Sequence, residues 1–219
     1  MIAENLKKIQ ATIPSGVTLV AVSKTKPSSA ILEAYNCGQR IFGENKVQEL
    51  VDKAEELPKD IEWHMIGHLQ SNKVKYIASF VFMIHAIDSL KLLKEVDKQA
   101  AKNGRTIDVL LQFFIANEET KFGMTWDEAF ELLRSEEFQA MKNIRIRGVM
   151  GMASFTEDEQ QIRKEFNTLK NYFREIKENF LSQAEFFDTI SMGMSGDYIL
   201  AIEEGSTMVR VGSSIFGSR

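Results

Sequence analysis

The sequence predicts an α/β chain in which eight strands, each followed by a helix, close into a barrel, with one extra helix at the N-terminus. Three observations carry this expectation. Short apolar, β-branched runs recur eight times along 219 residues, helical patterns separate them, and no glycine-rich turn follows the first strand, where "SKTKPS" has no glycine at all. Strands that alternate with helices pair in parallel through right-handed crossovers, and eight such units are the number that closes a ring. A doubly wound open sheet is the alternative, but its dinucleotide fingerprint is missing.

The elements follow in order. "MIAENLKKIQATI" places Ile2, Leu6, Ile9 and Ile13 at helical spacing, ahead of the first strand, "VTLVAVS" at 17 to 23. The helix "SSAILEAYNCG" closes at Gly38, the strand "QRIFG" follows, and "NKVQELVDKAEEL" sets Val47, Leu50, Val51, Ala54 and Leu57 on one face. "IEWHMIG" is the third strand, "QSNKVKYIASF" a helix, "VFMIHAI" the fourth strand, "SLKLLKEVDKQAAKNG" a helix and "RTIDVLLQFFI" the fifth strand. Beyond the loop "ANEETKFGM" come the helix "TWDEAFELLRS", the strand "IRIRGVMGM" and a long helix over 157 to 182, whose Ile162, Phe166, Leu169, Phe173, Ile176 and Phe180 form an amphipathic stripe. "FFDTISMG" is the seventh strand, "SGDYILAIEEG" a helix and "TMVRVGSSIFG" the last strand with its turn. Nothing in composition divides the chain, so residues 1 to 219 are expected to form one domain.

Composition excludes several function classes. A formal net charge of −4 gives no overall basic surface for nucleic acid or an anionic membrane. The longest apolar runs are too short to span a bilayer, and the first residues lack a signal peptide's compact apolar stretch, so a cytoplasmic protein is expected. Cys37 is the only cysteine, which leaves no intrachain disulfide and no thiolate metal site. His64 and His68 are four apart but span a strand end and a glycine turn, so they do not share one helix face as a zinc pair would.

In a barrel of this kind chemistry sits at the strand C-termini. The first strand is apolar on both faces and delivers Lys24 to that rim; an amine drawn partly out of water gives up its proton more readily and can condense with an aldehyde. Lys121 is expected on the same face, beyond the fifth strand. Two small-residue turns lie at the far end of the sequence. "SMGMSGD" offers Ser195 and Gly196 at the start of a helix, and "RVGSSIFG" offers Gly212, Ser213 and Ser214. Unpaired N–H groups and a helix dipole stabilise an anion, so side by side these turns make a phosphate cradle. A lysine facing a phosphate cradle suggests pyridoxal 5′-phosphate.

The blocks "AVSKTKP", "FGENKVQE", "WHMIGHLQSNK", "ETKFGM" and "SMGMSGDYILAIEEGSTMVRVGSSIFG" resemble the signature segments of the pyridoxal phosphate homeostasis proteins. These are barrels similar to the N-terminal domain of alanine racemase, and the resemblance runs from about residue 18 to the C-terminus. It implies a TIM-type barrel, and it implies that Lys24 carries pyridoxal phosphate as a Schiff base. It also implies that Arg210 sits near the pyridine nitrogen, that Ser195, Gly212 and Ser213 contact the phosphate, and that Asn45 and His64 line the pocket. An arginine beside the ring nitrogen keeps its proton and makes the cofactor a poorer electron sink.

The function this implies is the holding of pyridoxal phosphate for vitamin B6 homeostasis, with apo-enzymes that use the cofactor as partners, and without efficient catalysis. A low-activity amino-acid racemase is the alternative. Racemisation needs a base on each face of the substrate carbon, and the racemases take the second from a C-terminal domain of the partner subunit. This chain ends at "IFGSR", directly after the eighth strand, so that domain is not expected, and a monomer is.

Overall fold

The apolar runs become parallel strands in a computed structural model that describes residues 1 to 117 and 122 to 217; Lys121 lies outside the described residues. The strands are β1 (Thr18–Val22), β2 (Ile41–Glu44), β3 (Glu62–Met65), β4 (Met83–Ile87), β5 (Ile107–Gln112), β6 (Ile144–Met150), β7 (Thr189–Ser191) and β8 (Met208–Val211). They pair in sequence order into a closed barrel, and β8 joins β1 with Thr18 beside Met208 and Val20 beside Arg210. The helices are α1 (Ile2–Thr12), α2 (Ser28–Asn36), α3 (Val47–Glu56), α4 (Leu90–Lys102), α5 (Trp126–Arg134), α6 (Glu136–Ala140), α7 (Glu159–Asn179), α8 (Tyr198–Glu203) and α9 (Ser213–Phe216). Among the described residues, no helix is long and apolar enough to cross a membrane.

A strand buried on both faces is mostly apolar, and every residue of β4 and β5 is buried, with His85, Asp108 and Gln112 as the polar residues among them. Outward residues such as Ala21, Ile84 and Leu111 pack under the helices, while Val20, Met83, Leu110, Met150 and Met208 meet inside the ring. Helix α7 lays Ile162, Phe166, Leu169 and Ile176 onto the sheet, and Phe173 stacks on Phe187 with centroids 4.7 Å apart. Helix α9 is a single turn and covers little of the sheet. Helix α1 packs between it and α2, with Leu6 fully buried and Asn5 Nδ2 donating to the Ile215 carbonyl, so the extra N-terminal helix completes the outer layer.

Three segments differ from the sequence expectation. The helix expected over "QSNKVKYIASF" is a 3-10 helix, Ser71–Tyr76. Its buried Val74 and Ile77 are three apart, the spacing that aligns with three residues per turn. The residues after α5 form the separate short helix α6, because Ser135 turns extended and caps it by accepting from Phe138 N–H. The turn expected after β8 is helical.

The ring also encloses a polar chain. Arg210 lies two residues beyond Met208 on β8 and is 3% exposed. Its Nη1 donates to Ser191 Oγ at 2.6 Å and its Nη2 to the Gly151 carbonyl at 3.1 Å. Ser191 Oγ lies 3.1 Å from His85 Nδ1, and His85 Nε2 lies 2.9 Å from His64 Nδ1. A guanidinium only donates, so Ser191 accepts from Arg210, while donor and acceptor in the two histidine links follow the tautomers of the rings. His64 Nε2 is left buried without a partner. Its ring stacks parallel on Phe82, with centroids 5.7 Å apart. Burial depresses the basicity of both rings. His64 falls to about 3, and His85, with His64 and Arg210 adding to its burial, falls well below the ordinary value.

The interior sets two expectations. Leu110→Ala removes a side chain from the inner layer and is expected to cost about 2–5 kcal/mol, read as a lower urea midpoint. The histidines set a pH dependence. An unfolded histidine takes up a proton near pH 6.5, whereas folded His64 stays neutral down to about 3, so the unfolded state binds more protons in acid. Stability from this source is therefore complete above the unfolded value and falls, as pH drops below it, by about 1.4 kcal/mol per unit for His64 alone. Urea unfolding between pH 7 and 5 checks this, and His64→Gln is expected to flatten the slope.

Candidate functional site

The mouth at the strand C-termini opens onto a cavity of about 420 Å³. Lys24 and Asn45, beyond β1 and β2, line it together with Ser195, Gly196, Gly212 and Ser213 from the turns after β7 and β8, and with Arg210. Six of the seven residues expected at the site therefore share one cavity. His64 does not belong to its lining. It is an inward residue of β3 and 1% exposed, and it reaches the cavity only through the chain His85, Ser191, Arg210. His68 points elsewhere again, with Nδ1 3.3 Å from Asp88 Oδ2 at the surface.

Lys24 arrives where it does because β1 runs on into a fully buried serine, Ser23. Ser23 N–H still pairs with the Gly43 carbonyl at 3.1 Å, and Lys26 N–H turns back to the Ser23 carbonyl at 3.0 Å. The side chain between them is half-buried at the rim. Asn45 is brought in by a close approach of two loops. A Cβ on Gly67 would lie 2.4 Å from the Asn45 carbonyl oxygen, so only glycine lets the turn after β3 pass this near.

The two late turns are tied together. Gly193 turns the chain after β7 at φ +95, and a Cβ there would meet Ala201 Cβ at 2.6 Å. Gly212 N–H then donates to Ser195 Oγ at 3.1 Å, which joins the turns into one surface. Among the described residues, the N–H groups of Ser195, Gly196, Ser213 and Ser214 meet no acceptor. Helices α8 and α9 have six and four residues, so little macrodipole stands behind this surface. Any anion there would be held by N–H and hydroxyl groups themselves, a revision of the dipole expected from the sequence.

Two cations face this arrangement. Burial lowers the Arg210 guanidinium to about 10, with Asp197 working against that drop, and it remains charged at neutral pH. Asp197 is itself pushed up by burial, and its Oδ1 accepts from Met194 N–H at 2.6 Å. A lysine amine, a buried guanidinium and a set of unpaired N–H groups suit a molecule that carries a carbonyl and a phosphate.

Sequence reasoning missed the side chains behind the cavity. Lys53 was legible in principle: it falls three residues after Leu50 and four before Leu57, on the apolar face of α3, where a charge needs a partner. Its partner Glu44 ends β2 with no exposed surface. Ser191 and His85 gave no signal that they would meet, since 106 residues separate them.

The whole chain, residues 1–219, matches the family model described as alanine racemase, N-terminal domain. The pyridoxal phosphate homeostasis protein of Vibrio alginolyticus is 43% identical over 211 residues, covering 94% of this chain and 88% of that protein. The one from Aquifex aeolicus is 40% identical, covering 92% and 86%. Among solved structures, PipY of Synechococcus elongatus PCC7942 with PLP bound aligns at a TM-score of 0.88 and 35% identity over 99% of this chain and 100% of that one. The alanine racemase of Bartonella henselae aligns at 0.74 with 14% identity, a likeness of fold in which this chain spans 58% of that enzyme. The chain belongs to the alanine racemase N-terminal domain family and, within it, to the pyridoxal phosphate homeostasis proteins.

Proposed function

We propose that residues 1–219 work as one unit that holds pyridoxal 5′-phosphate on Lys24 and serves the homeostasis of that cofactor. One observation carries the reading: a single cavity of about 420 Å³ presents a lysine amine, a buried arginine and the joined turns of Ser195 and Gly212. The relatives named for this role, and PipY with PLP bound, support it.

When bound, the cofactor supplies an aldehyde for an amine and a pyridine ring that draws electrons. Lys24 would hold the cofactor through its Nζ, whose neutral form is the nucleophile that an aldehyde takes up with loss of water. Ser195 and Ser213 would take the phosphate with hydroxyl and N–H groups, Gly212 would support them by holding Ser195 Oγ, and Asn45 would add an amide to the wall. Arg210, fixed by Ser191 and Gly151, would face the ring nitrogen and keep its own proton, which would make the ring a weaker electron sink. Among the described residues lining the cavity, Lys24, Asp197 and Arg210 are the titratable ones, and Asp197 is engaged by Met194 N–H. Racemisation needs a proton acceptor on each face of the substrate carbon, so this lining supports holding over turnover. Apo-enzymes that need the cofactor are the receivers this role implies.

Purified protein given pyridoxal phosphate is expected to gain a Schiff-base absorbance band, and borohydride is expected to fix the label on the peptide bearing Lys24. Lys24→Ala is expected to lose the adduct and about 100-fold in affinity, ~2.7 kcal/mol. If the variant keeps both, the assignment is wrong. Loaded protein incubated with single amino-acid enantiomers in deuterated water is expected to show no conversion at ordinary enzyme rates.

A further inference from the structure

Behind Lys24 lies a group of charges, two of them buried and the third, Glu49, partly exposed, that the cofactor chemistry above does not use. Lys53, on the inner face of α3, is 6% exposed. Its ammonium donates to the Ser23 carbonyl at 2.8 Å, to Glu44 Oε1 at 2.7 Å and to Glu49 Oε1 at 2.7 Å. The two carboxylates reach the same turn themselves. Glu44 Oε1 accepts from Ser23 Oγ at 2.6 Å, and Glu49 Oε1 accepts from Thr25 N–H at 2.6 Å. The residue before Lys24 is thus held by its carbonyl and its hydroxyl, and the residue after it by its N–H.

The turn being held is strained. Thr25 has φ +64, and among the described residues it is the one non-glycine with positive φ. A β-branched side chain is unfavourable in that region, so the surroundings must fix it there. The means of fixing it also work against stability. Glu44 is fully buried, burial pushes its carboxyl up, and its Oε2 has no partner. Apolar residues of the same size in place of such a pair are often neutral or stabilising. Packing alone therefore does not explain the charges. What they hold is the backbone on either side of Lys24.

We propose that Lys53, Glu44 and Glu49 are positioning residues, which pre-set the strained turn so that the Lys24 amine enters the cavity from a fixed point. The proposal rests on the reading that Lys24 holds the cofactor. None of the three needs to touch it; they act through the backbone of Ser23 and Thr25, and pre-organisation of this kind is read in affinity.

Two sets of variants of the full chain test this. Glu49→Ala removes the acceptor of the Thr25 N–H, while Glu49→Gln keeps an amide oxygen for it. In apo-protein, Glu49→Ala is expected to speed hydrogen exchange at the Thr25 amide at least tenfold. The same variant is expected to weaken pyridoxal phosphate binding about five- to tenfold, with Glu49→Gln within threefold of wild type on both counts. The paired change Glu44→Gln with Lys53→Met removes the buried charges and keeps their volume. It is expected to leave the urea midpoint unchanged or higher while weakening cofactor binding about five- to tenfold, a combination that a purely structural role does not produce. Wild-type affinity in Glu49→Ala or in the paired variant would overturn the proposal, as would unchanged exchange at Thr25 in Glu49→Ala. Failure of the underlying reading looks different: wild type itself would take no borohydride label on Lys24.

Discussion

Eight parallel strands closed on themselves leave no free edge, and they leave little choice about where side chains point. Every second residue of each strand faces the axis, and all eight C-termini arrive at one rim. This is why Lys24, Asn45 and Arg210, scattered over 186 positions of sequence from Lys24 to Arg210, meet at one cavity. Each position follows from the strand that carries it. Val20 and Met208 fill the inner layer, and the residues beyond them along the same strands lead up to Lys24 and Gly212. An apolar layer below and a polar rim above are consequences of the same closure.

Closure also creates a problem, because a functional rim needs charge next to an interior that excludes water. Among the described residues, the buried side-chain atoms without a partner are two, His64 Nε2 and Glu44 Oε2. Each belongs to a network beside a cavity residue, one touching Arg210 itself and the other only the two chain neighbours of Lys24. The first runs through His85 and Ser191 to Arg210; the second surrounds the turn of Lys24. Incomplete satisfaction thus gathers behind the two cations of the cavity, where fixed geometry has a use, and not at random through the core.

Legibility in the sequence follows from the range of the physics involved. Strands such as "TLVAV" and "MIHAI" announced themselves because two-sided burial demands an unbroken apolar run, and α7 did so through its stripe from Ile162 to Ile176. The barrel then followed from counting, and with it the rim positions of Lys24, Ser195 and Gly212. Features that depend on contacts across the ring were hidden. His64 reads like a pocket residue when only its motif is seen; its inward position on β3 and the ring of His85 place it below the cavity. The 3-10 segment at Ser71–Tyr76 was hidden for a milder reason, since spacings of three and four are hard to separate over six residues.

The two supporting networks differ in a way that bears on what the cavity does. Both histidines are neutral at physiological pH, and Ser191, which links them to Arg210, accepts from the guanidinium without competing for its charge. A guanidinium held in this manner stays protonated and lines the cavity. The cluster behind Lys24 carries formal charge, but it meets the turn through Ser23 and Thr25 and leaves the amine itself to the cavity. One network fixes the electronic character of the wall that would face the ring; the other fixes the origin from which the amine reaches. A catalyst that protonates and deprotonates a substrate needs groups that change charge at the reacting atoms. Here the two networks end on a guanidinium held by Ser191 and Gly151 and on the backbone of Ser23 and Thr25, and neither brings such a group to the Lys24 amine.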